Sequence, residues 1–334
     1  MIDPMISLAF AIQTNKGAHA LLLGSGVSRA AQIPTGWEIV LDLIAKLAHL
    51  QNDPCGPDPV AWYRSKYGVD PDYAELLDQI AKSPEERQQL LAGYFEPTDE
   101  EREDGSKLPT AAHRAIAKLV ARGYVRVIVT TNFDRLVERA IEDEGITPTV
   151  LSTPDAIEGA LPLVHQRCVV VKVHGDYLDT RIKNTPQELG DYDGRVNSLL
   201  DRILDEFGVV ICGWSGQWDT ALLAAFQRCK SRRFTTYWAG RGKLADAAQR
   251  LLASRAGVLV PIRDADSFLS ELAEKVVGLE DLQQPHPLSV AAAAATVKRY
   301  LADDKHLIRL HDLVQQETER AFVGLQPVFR FVAE

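Results

Sequence analysis

The chain has 334 residues, 46% of them apolar and 25% charged, with a formal net charge of −9. That length suits about two domains and a sizeable core. The acidic balance excludes a broad basic footprint for nucleic acid, although not a local patch, and no apolar run approaches the roughly 20 residues needed to span a bilayer. Met1-Ile2-Asp3-Pro4 has neither the basic region nor the long apolar run of a secretory leader. Of the four cysteines, Cys55, Cys168, Cys212 and Cys229, no two form a Cys-x-x-Cys pair. Cys168 and Cys212 fall in apolar strand runs, where a small buried thiol is the default. A reducing, cytoplasmic setting is the expectation.

In chain order, residues 8–16 read as a short helix and residues 20–23 as a strand. The strand turns at once into Gly24-Ser25-Gly26-Val27-Ser28, which leads to Ile33-Pro34-Thr35-Gly36-Trp37. Strand, glycine turn and helix start is the plan of a dinucleotide-phosphate site, because glycines let backbone N–H groups approach phosphates. Arg29 stands where a third glycine would complete the G-x-G-x-x-G fingerprint, so a tight turn without a ligand stays open. Residues 38–50 form an amphipathic helix. After the turn-rich residues 53–59, helices are predicted over 73–82, 85–94 and 110–122, with 98–106 read as an exposed acidic loop. A helical insertion at about 53–122 therefore interrupts the sheet.

The next strand, Val127-Ile128-Val129, runs into Thr130-Thr131-Asn132-Phe133-Asp134 and a helix over 135–144. Ligands of open α/β sheets bind beyond the carboxyl ends of the strands. Asn132 and Asp134 stand there, although both could simply cap the helix. Residues 149–151 are a candidate short strand, and 168–173 a clear one ending in His174-Gly175-Asp176-Tyr177. Residues 179–193 read as a polar loop and 196–207 as a helix. The strand 209–212 ends in Gly213-Trp214-Ser215-Gly216 before a helix over 219–230. Strands at 234–238 and 257–262, helices at 244–255 and 267–277, and a break at Pro285-His286-Pro287 follow. Two helices, 290–301 and 307–322, close the chain. About six strands alternating with helices predict a doubly wound parallel, Rossmann-like α/β sheet.

Taken together, the strand ends carry Gly24-Ser25-Gly26-Val27-Ser28 with Ile33-Pro34, then Thr131-Asn132-Phe133-Asp134, then His174-Gly175, then Gly213-Trp214-Ser215. That ordered set resembles the sirtuin superfamily over about residues 20–272. The resemblance implies NAD as substrate. Gly24, Ser25, Gly26 and Ser28 would hold its pyrophosphate, and Ile33, Pro34 and the residues after it would close over the nicotinamide ribose. Thr131 and Asn132 would lie beside that ribose, Asp134 would bond the nicotinamide carboxamide, and His174 would act as general base. Gly213 and Ser215 would bind the adenosine side, with Asp266 near the adenine.

Sirtuin deacetylases carry two Cys-x-x-Cys pairs between the His-Gly and the next Gly-x-Ser. Here no cysteine lies between Gly175 and Cys212, so no metal is expected. Thr35-Gly36-Trp37 also replaces the usual aspartate, phenylalanine and arginine. The pattern is most similar to bacterial sirtuin-like effectors of antiphage defence, which hydrolyse NAD to nicotinamide and ADP-ribose. The resemblance implies homo-oligomers, or control by a HerA-type ATPase or a short Argonaute; the acidic balance and the lack of a long apolar run give no sign of direct nucleic-acid or membrane contact. The expected domains are a catalytic domain over 1–284 and a helical segment over 285–334 for oligomer or partner contacts. Two other readings stay open: an NAD-dependent deacylase without zinc, and a non-catalytic module that binds NAD or ADP-ribose. A hydride-transfer dehydrogenase fits less well, because the glycine turn is incomplete and no acidic residue follows the second strand to hold a ribose.

Overall fold

The apolar runs pair side by side as parallel strands, and a seventh strand joins them. The computed structural model describes residues 2–178, 191–217, 219–282, 290–302 and 304–330. Its strands are β1 (His19–Leu23), β2 (Val125–Thr130), β3 (Thr149–Leu151), β4 (Val169–Lys172), β5 (Gly208–Cys212), β6 (Tyr237–Gly240) and β7 (Val258–Pro261). They form one sheet in the order β3-β4-β2-β1-β5-β6-β7, with every pairing parallel. The doubly wound α/β expectation holds, with one more strand than six. The addition is β3, three residues long and paired only along β4, too short to show a period of its own.

The helices are α1 (Pro4–Thr14), α2 (Gly36–Leu50), α3 (Pro59–Tyr67), α4 (Tyr73–Ile80), α5 (Pro84–Phe95), α6 (Asp99–Asp104), α7 (Ala111–Ala121), α8 (Leu136–Asp143), α9 (Pro154–Glu158), α10 (Gly194–Glu206), α11 (Thr220–Arg228), α12 (Asp246–Ser254), α13 (Ala265–Leu282), α14 (Val290–Leu301) and α15 (Leu307–Arg330). Residues 98–106, expected as a loop, contain α6. Thr98 Oγ1 accepts from Glu101 N–H, while the Glu101 carboxylate accepts from Thr98 N–H, and Gly105 ends the helix in the left-handed region. This reciprocal cap outweighs the acidic composition that suggested a loop. Helix α3, not foreseen, starts from an Asp58 cap with Pro59 in its first turn and stops at left-handed Gly68. Strand β6 begins three residues later than expected, at Tyr237. The boundary residues Pro285-His286-Pro287 and most of the expected 179–193 loop lie outside the described residues.

Alternate residues of the central strands face one core: Ala20 and Leu22, Val127 and Val129, Val169 and Val171, Val209 and Ile211. They pack with Leu200 and Ile203 of α10, Leu222 and Phe226 of α11, and Leu251 of α12. On the sheet's flanks α7 lies against β2 and α8, and α1 against β7. A second core stands over the strand ends. There Ile39, Leu43 and Ile44 of α2, Tyr63, Tyr73, Leu76 and Phe95 enclose Phe133, Leu136 and Tyr177. The helical insertion thus spends its apolar face on the loop after β2.

The chain divides into two compact units, Met1–Val277 and Gly278–Glu334. In the second unit α14 and α15 pack on each other through a turn at Asp304–His306. None of its residues with described exposure between 292 and 319 is buried, and Leu301, Leu307, Ile308 and Val314 are largely exposed.

Candidate functional site

Four strand ends meet in a closed ring of contacts, each joining one turn to the next. The first joint lies between the turns after β1 and β5. Gly24 N–H donates to Cys212 O and Gly26 N–H to Gly213 O, both at 3.0 Å. A Cβ on Gly24 would stand 2.5 Å from Gly213 O, and one on Gly26 2.8 Å from Gly213 Cα. Gly213 has φ +74°, and a Cβ there would meet Val27 N at 2.7 Å. All three glycines are therefore required by the interlocking of two turns. That reason is independent of any ligand. Val27 N–H and Ser28 N–H close the local 3-10 turns. The Ser25 N–H and hydroxyl are the groups this loop leaves for an anion. Ser215 is exposed, and its hydroxyl accepts from Gln217 N–H at 3.3 Å.

The second joint links β1 to β2 through Ser28, which is buried. Its hydroxyl donates to Asp134 Oδ2 at 2.8 Å and accepts from Asn132 Nδ2 at 3.2 Å. His113 Nε2 lies 3.4 Å away. His113 Nδ1 accepts from Thr110 N–H at 3.1 Å, which puts the ring proton of the neutral form on Nε2, facing Ser28. Burial holds the His113 pKa below the usual value, against the pull of Asp134 and Asp266. Asp134 Oδ1 accepts from Leu136 N–H at 3.1 Å, so this carboxylate takes up the first N–H of α8 from the residue before its N-cap, Arg135. Asn132 N–H donates to Thr130 Oγ1, and Thr131 N–H extends the ladder to Leu23 O. Asn132 Oδ1 is buried and has no partner among the described residues. A buried amide oxygen left unpaired costs about 1–3 kcal/mol, unless a ligand or water takes it up.

The third joint ties β2 to β4. Lys172, the last residue of β4, is buried and donates to Phe133 O at 3.1 Å and Asp134 O at 2.6 Å. Its Nζ lies 3.2 Å from both Glu138 Oε1 and Asp176 Oδ2. The Glu138 contact is at ion-pair distance, but its angle is not that of a hydrogen bond. Desolvation pushes the Glu138 carboxyl above its usual range, and Lys172 pulls it back. Tyr177 N–H reaches Phe133 O at 3.3 Å, and the Phe133 and His174 rings lie 6.4 Å apart.

The fourth joint closes the ring from β4 to the segment after β5. His174 Nε2 lies 2.7 Å from Asp219 Oδ2 and 3.2 Å from the Tyr192 hydroxyl. That hydroxyl donates to the same carboxylate oxygen at 2.5 Å. Asp219 Oδ1 caps α11, accepting from Leu222 N–H at 2.8 Å.

Asn132, Asp134, Ser28 and His174 are thus gathered at one edge, on three of the four joined turns. The Ile33 side chain is buried in the same core as Phe133 and Tyr177, and Pro34 is half-buried beside it in sequence. Asp266 caps α7 by accepting from Ala112 N–H at 2.8 Å. Sequence reasoning missed Lys172, His113, Asp219 and Tyr192. Lys172 had a visible signal, a charge inside an all-apolar strand. His113 follows Thr110 at capping-box spacing, and Asp219 opens a helix after a glycine turn. Among the described residues no group of three His, Cys, Asp or Glu could hold a metal ion. No helix among them is long and apolar enough to cross a membrane.

A parallel, doubly wound sheet whose polar groups converge beyond the carboxyl ends of its central strands defines a Rossmann-like α/β protein. The chain belongs to the SIR2-like domain family, whose model matches residues 126–308, more than half its length. Among solved structures it is similar to a Sir2 homologue in complex with NAD, with 16% identity over 82% of this chain and 94% of that one, at a TM-score of 0.42. It is also similar to a mutant Sir2 homologue in complex with ADP-ribose, with 15% identity over 85% of this chain and 100% of that one, at a TM-score of 0.44. No curated protein matches the chain.

Proposed function

We propose that the chain is an NAD hydrolase that cleaves the bond between nicotinamide and ribose. Family membership and the ordered strand-end motifs support NAD as the substrate. The observation that carries the reading is the buried, unpartnered Asn132 Oδ1, beside Ser28 and Asp134. It can hold a ribose hydroxyl or the attacking water without itself becoming a nucleophile. In the reaction, the bond from the ribose C1′ to the nicotinamide nitrogen breaks, and its electron pair leaves with nicotinamide. Water oxygen bonds to C1′, and its proton passes to His174 and on to solvent. The products are nicotinamide, ADP-ribose and a proton. Positive charge develops on the sugar, as in glycoside cleavage, and fixed polar groups lower that barrier. In this reading Ser25, Ser28, Gly24, Gly26, Gly213 and Ser215 line the pyrophosphate and adenosine side, and Asp134 serves the nicotinamide carboxamide.

The biological role proposed is depletion of NAD in antiphage defence. It would be restrained by self-assembly, or by a partner of the HerA-type ATPase or short Argonaute kind. The exposed Leu301, Leu307, Ile308 and Val314 of the second unit support assembly through that segment. Deleting residues 288–334 should then lower the number of subunits per particle, as counted from the mass measured by light scattering.

The catalytic test is chromatography of NAD incubated with purified protein and no peptide. Nicotinamide and ADP-ribose should appear in equal amounts, and Asn132→Ala and His174→Ala should each abolish them. Turnover that requires an acylated peptide would establish a deacylase instead. Calorimetric NAD binding without turnover, with or without candidate partners, would establish a binding module.

A further inference from the structure

The reading of His174 as a base leaves open which ring nitrogen does the work and what holds it. The geometry around the ring answers both. Asp219 Oδ2 lies 2.7 Å from Nε2, and the Tyr192 hydroxyl donates to the same oxygen at 2.5 Å. Burial chiefly, and then the neighbouring Asp219 charge, push the Tyr192 hydroxyl well above the usual tyrosine range, so it stays a donor. A carboxylate oxygen is an acceptor only, so the ring must offer it a proton from Nε2. Nδ1 then carries the lone pair and has no partner among the described residues.

We propose that Asp219 is a positioning residue for His174. It fixes the imidazole with its proton on Nε2 and so makes Nδ1 the basic atom that faces substrate. This rests on the NAD-cleavage reading for its chemical use, but not for its geometry. The placement is economical. Asp219 also caps α11, directly after the Gly213-Trp214-Ser215-Gly216 turn. One carboxylate therefore ties the turn assigned to the adenosine side to the base assigned to the ribose side, although β4 and β5 are separated in the sheet by β2 and β1. An orienting carboxylate behind an imidazole is a recurrent way to hold one tautomer and stabilise the imidazolium that forms. Tyr192 supports the carboxylate, and Asn197 Nδ2 holds Tyr192 in turn by donating to its backbone oxygen at 2.8 Å.

The test uses the full chain labelled with 15N-histidine, in mildly alkaline buffer without ligand. Long-range proton–nitrogen correlation reports which ring nitrogen carries the proton, and the His174 signal is assigned by its absence in His174→Gln. Two variants keep a good helix cap while removing the carboxylate. Asp219→Ser is too short to reach the ring, and Asp219→Asn keeps the shape without the charge. The wild type should show the Nε2–H form alone, and both variants a mixture or the opposite tautomer. With NAD, kcat should fall about 10²–10⁴-fold in both, the range of a misdirected general base, with little change in KM. Tyr192→Phe should keep the tautomer and lose much less activity. Wild-type tautomer in both Asp219 variants overturns the proposal, and so does a changed tautomer with an unchanged kcat. If the wild type never cleaves NAD, the functional reading fails, and the tautomer alone decides whether Asp219 positions the ring.

Discussion

Replacing Lys172 by Met should cost about 3–5 kcal/mol, the usual loss when one partner of a buried ion pair is removed. The structure argues for that full range. The Lys172 side chain is 0% exposed and those of Glu138 and Asp176 are 1% and 5% exposed, so water cannot replace the lost cation. Asp134 O also loses its Lys172 donor, and Phe133 O keeps only the Tyr177 N–H at 3.3 Å. Methionine matches the lysine stem in length, so packing changes little and the loss reports on charge. The assay is urea denaturation followed by circular dichroism, comparing midpoints. Glu138→Gln in the Lys172→Met background removes the stranded charge and should recover roughly half the loss, since the two side chains are directly coupled. The sign with pH follows from the raised Glu138 pKa. Without Lys172 the folded state binds a proton at Glu138 more readily than the unfolded state does, so the variant's deficit should shrink as pH is lowered. A single variant within about 0.5 kcal/mol of wild type, the ordinary range for surface changes, would refute the argument.

Burial lowers the pKa of His19 from 6.5 to about 4, and its Nδ1 has no partner among the described residues. The unfolded chain therefore takes up this proton first. Stability should be full above pH 6.5 and fall towards pH 4, by at most about 3 kcal/mol from this group. His19→Leu should flatten the slope in denaturation midpoints measured across that window, and an unaltered slope would contradict the assignment. Gly213→Ala forces a left-handed residue and a 2.7 Å approach to Val27 N. The cost should be about 1–3 kcal/mol, read as a lowered thermal midpoint; an unchanged midpoint would remove the interlock from the account.

Much of this architecture was legible because a parallel sheet buried on both faces writes itself as short apolar runs. The ends of those runs named Asn132, Asp134, His174 and the two glycine turns before any fold was seen. What stayed hidden depends on contacts distant in the chain. Asp219 and His174 are 45 positions apart, and Ser28 and Asp134 106 apart, with no periodicity to link them. Gly24 and Gly26 carry more than the glycine-turn pattern shows. Their N–H groups bond the β5 turn, and a Cβ on either would strike its backbone, a second reason for glycine that no single strand end displays. The insertion was legible as helices but not as a cover for Phe133, because an amphipathic face does not say what it packs against. The missed helix α6 shows the opposite case. Its Thr98–Glu101 box was present in the sequence, and composition was weighed above it.

The central claim is that water is the acceptor for the ribose released from NAD. Incubating the purified chain with NAD in 18O-labelled water, with no peptide present, tests it directly by mass spectrometry of the products. The account predicts free nicotinamide and ADP-ribose carrying one heavy oxygen, both lost in Asn132→Ala. Nicotinamide released only when an acylated peptide is supplied, or NAD bound and recovered intact in every condition, would contradict it.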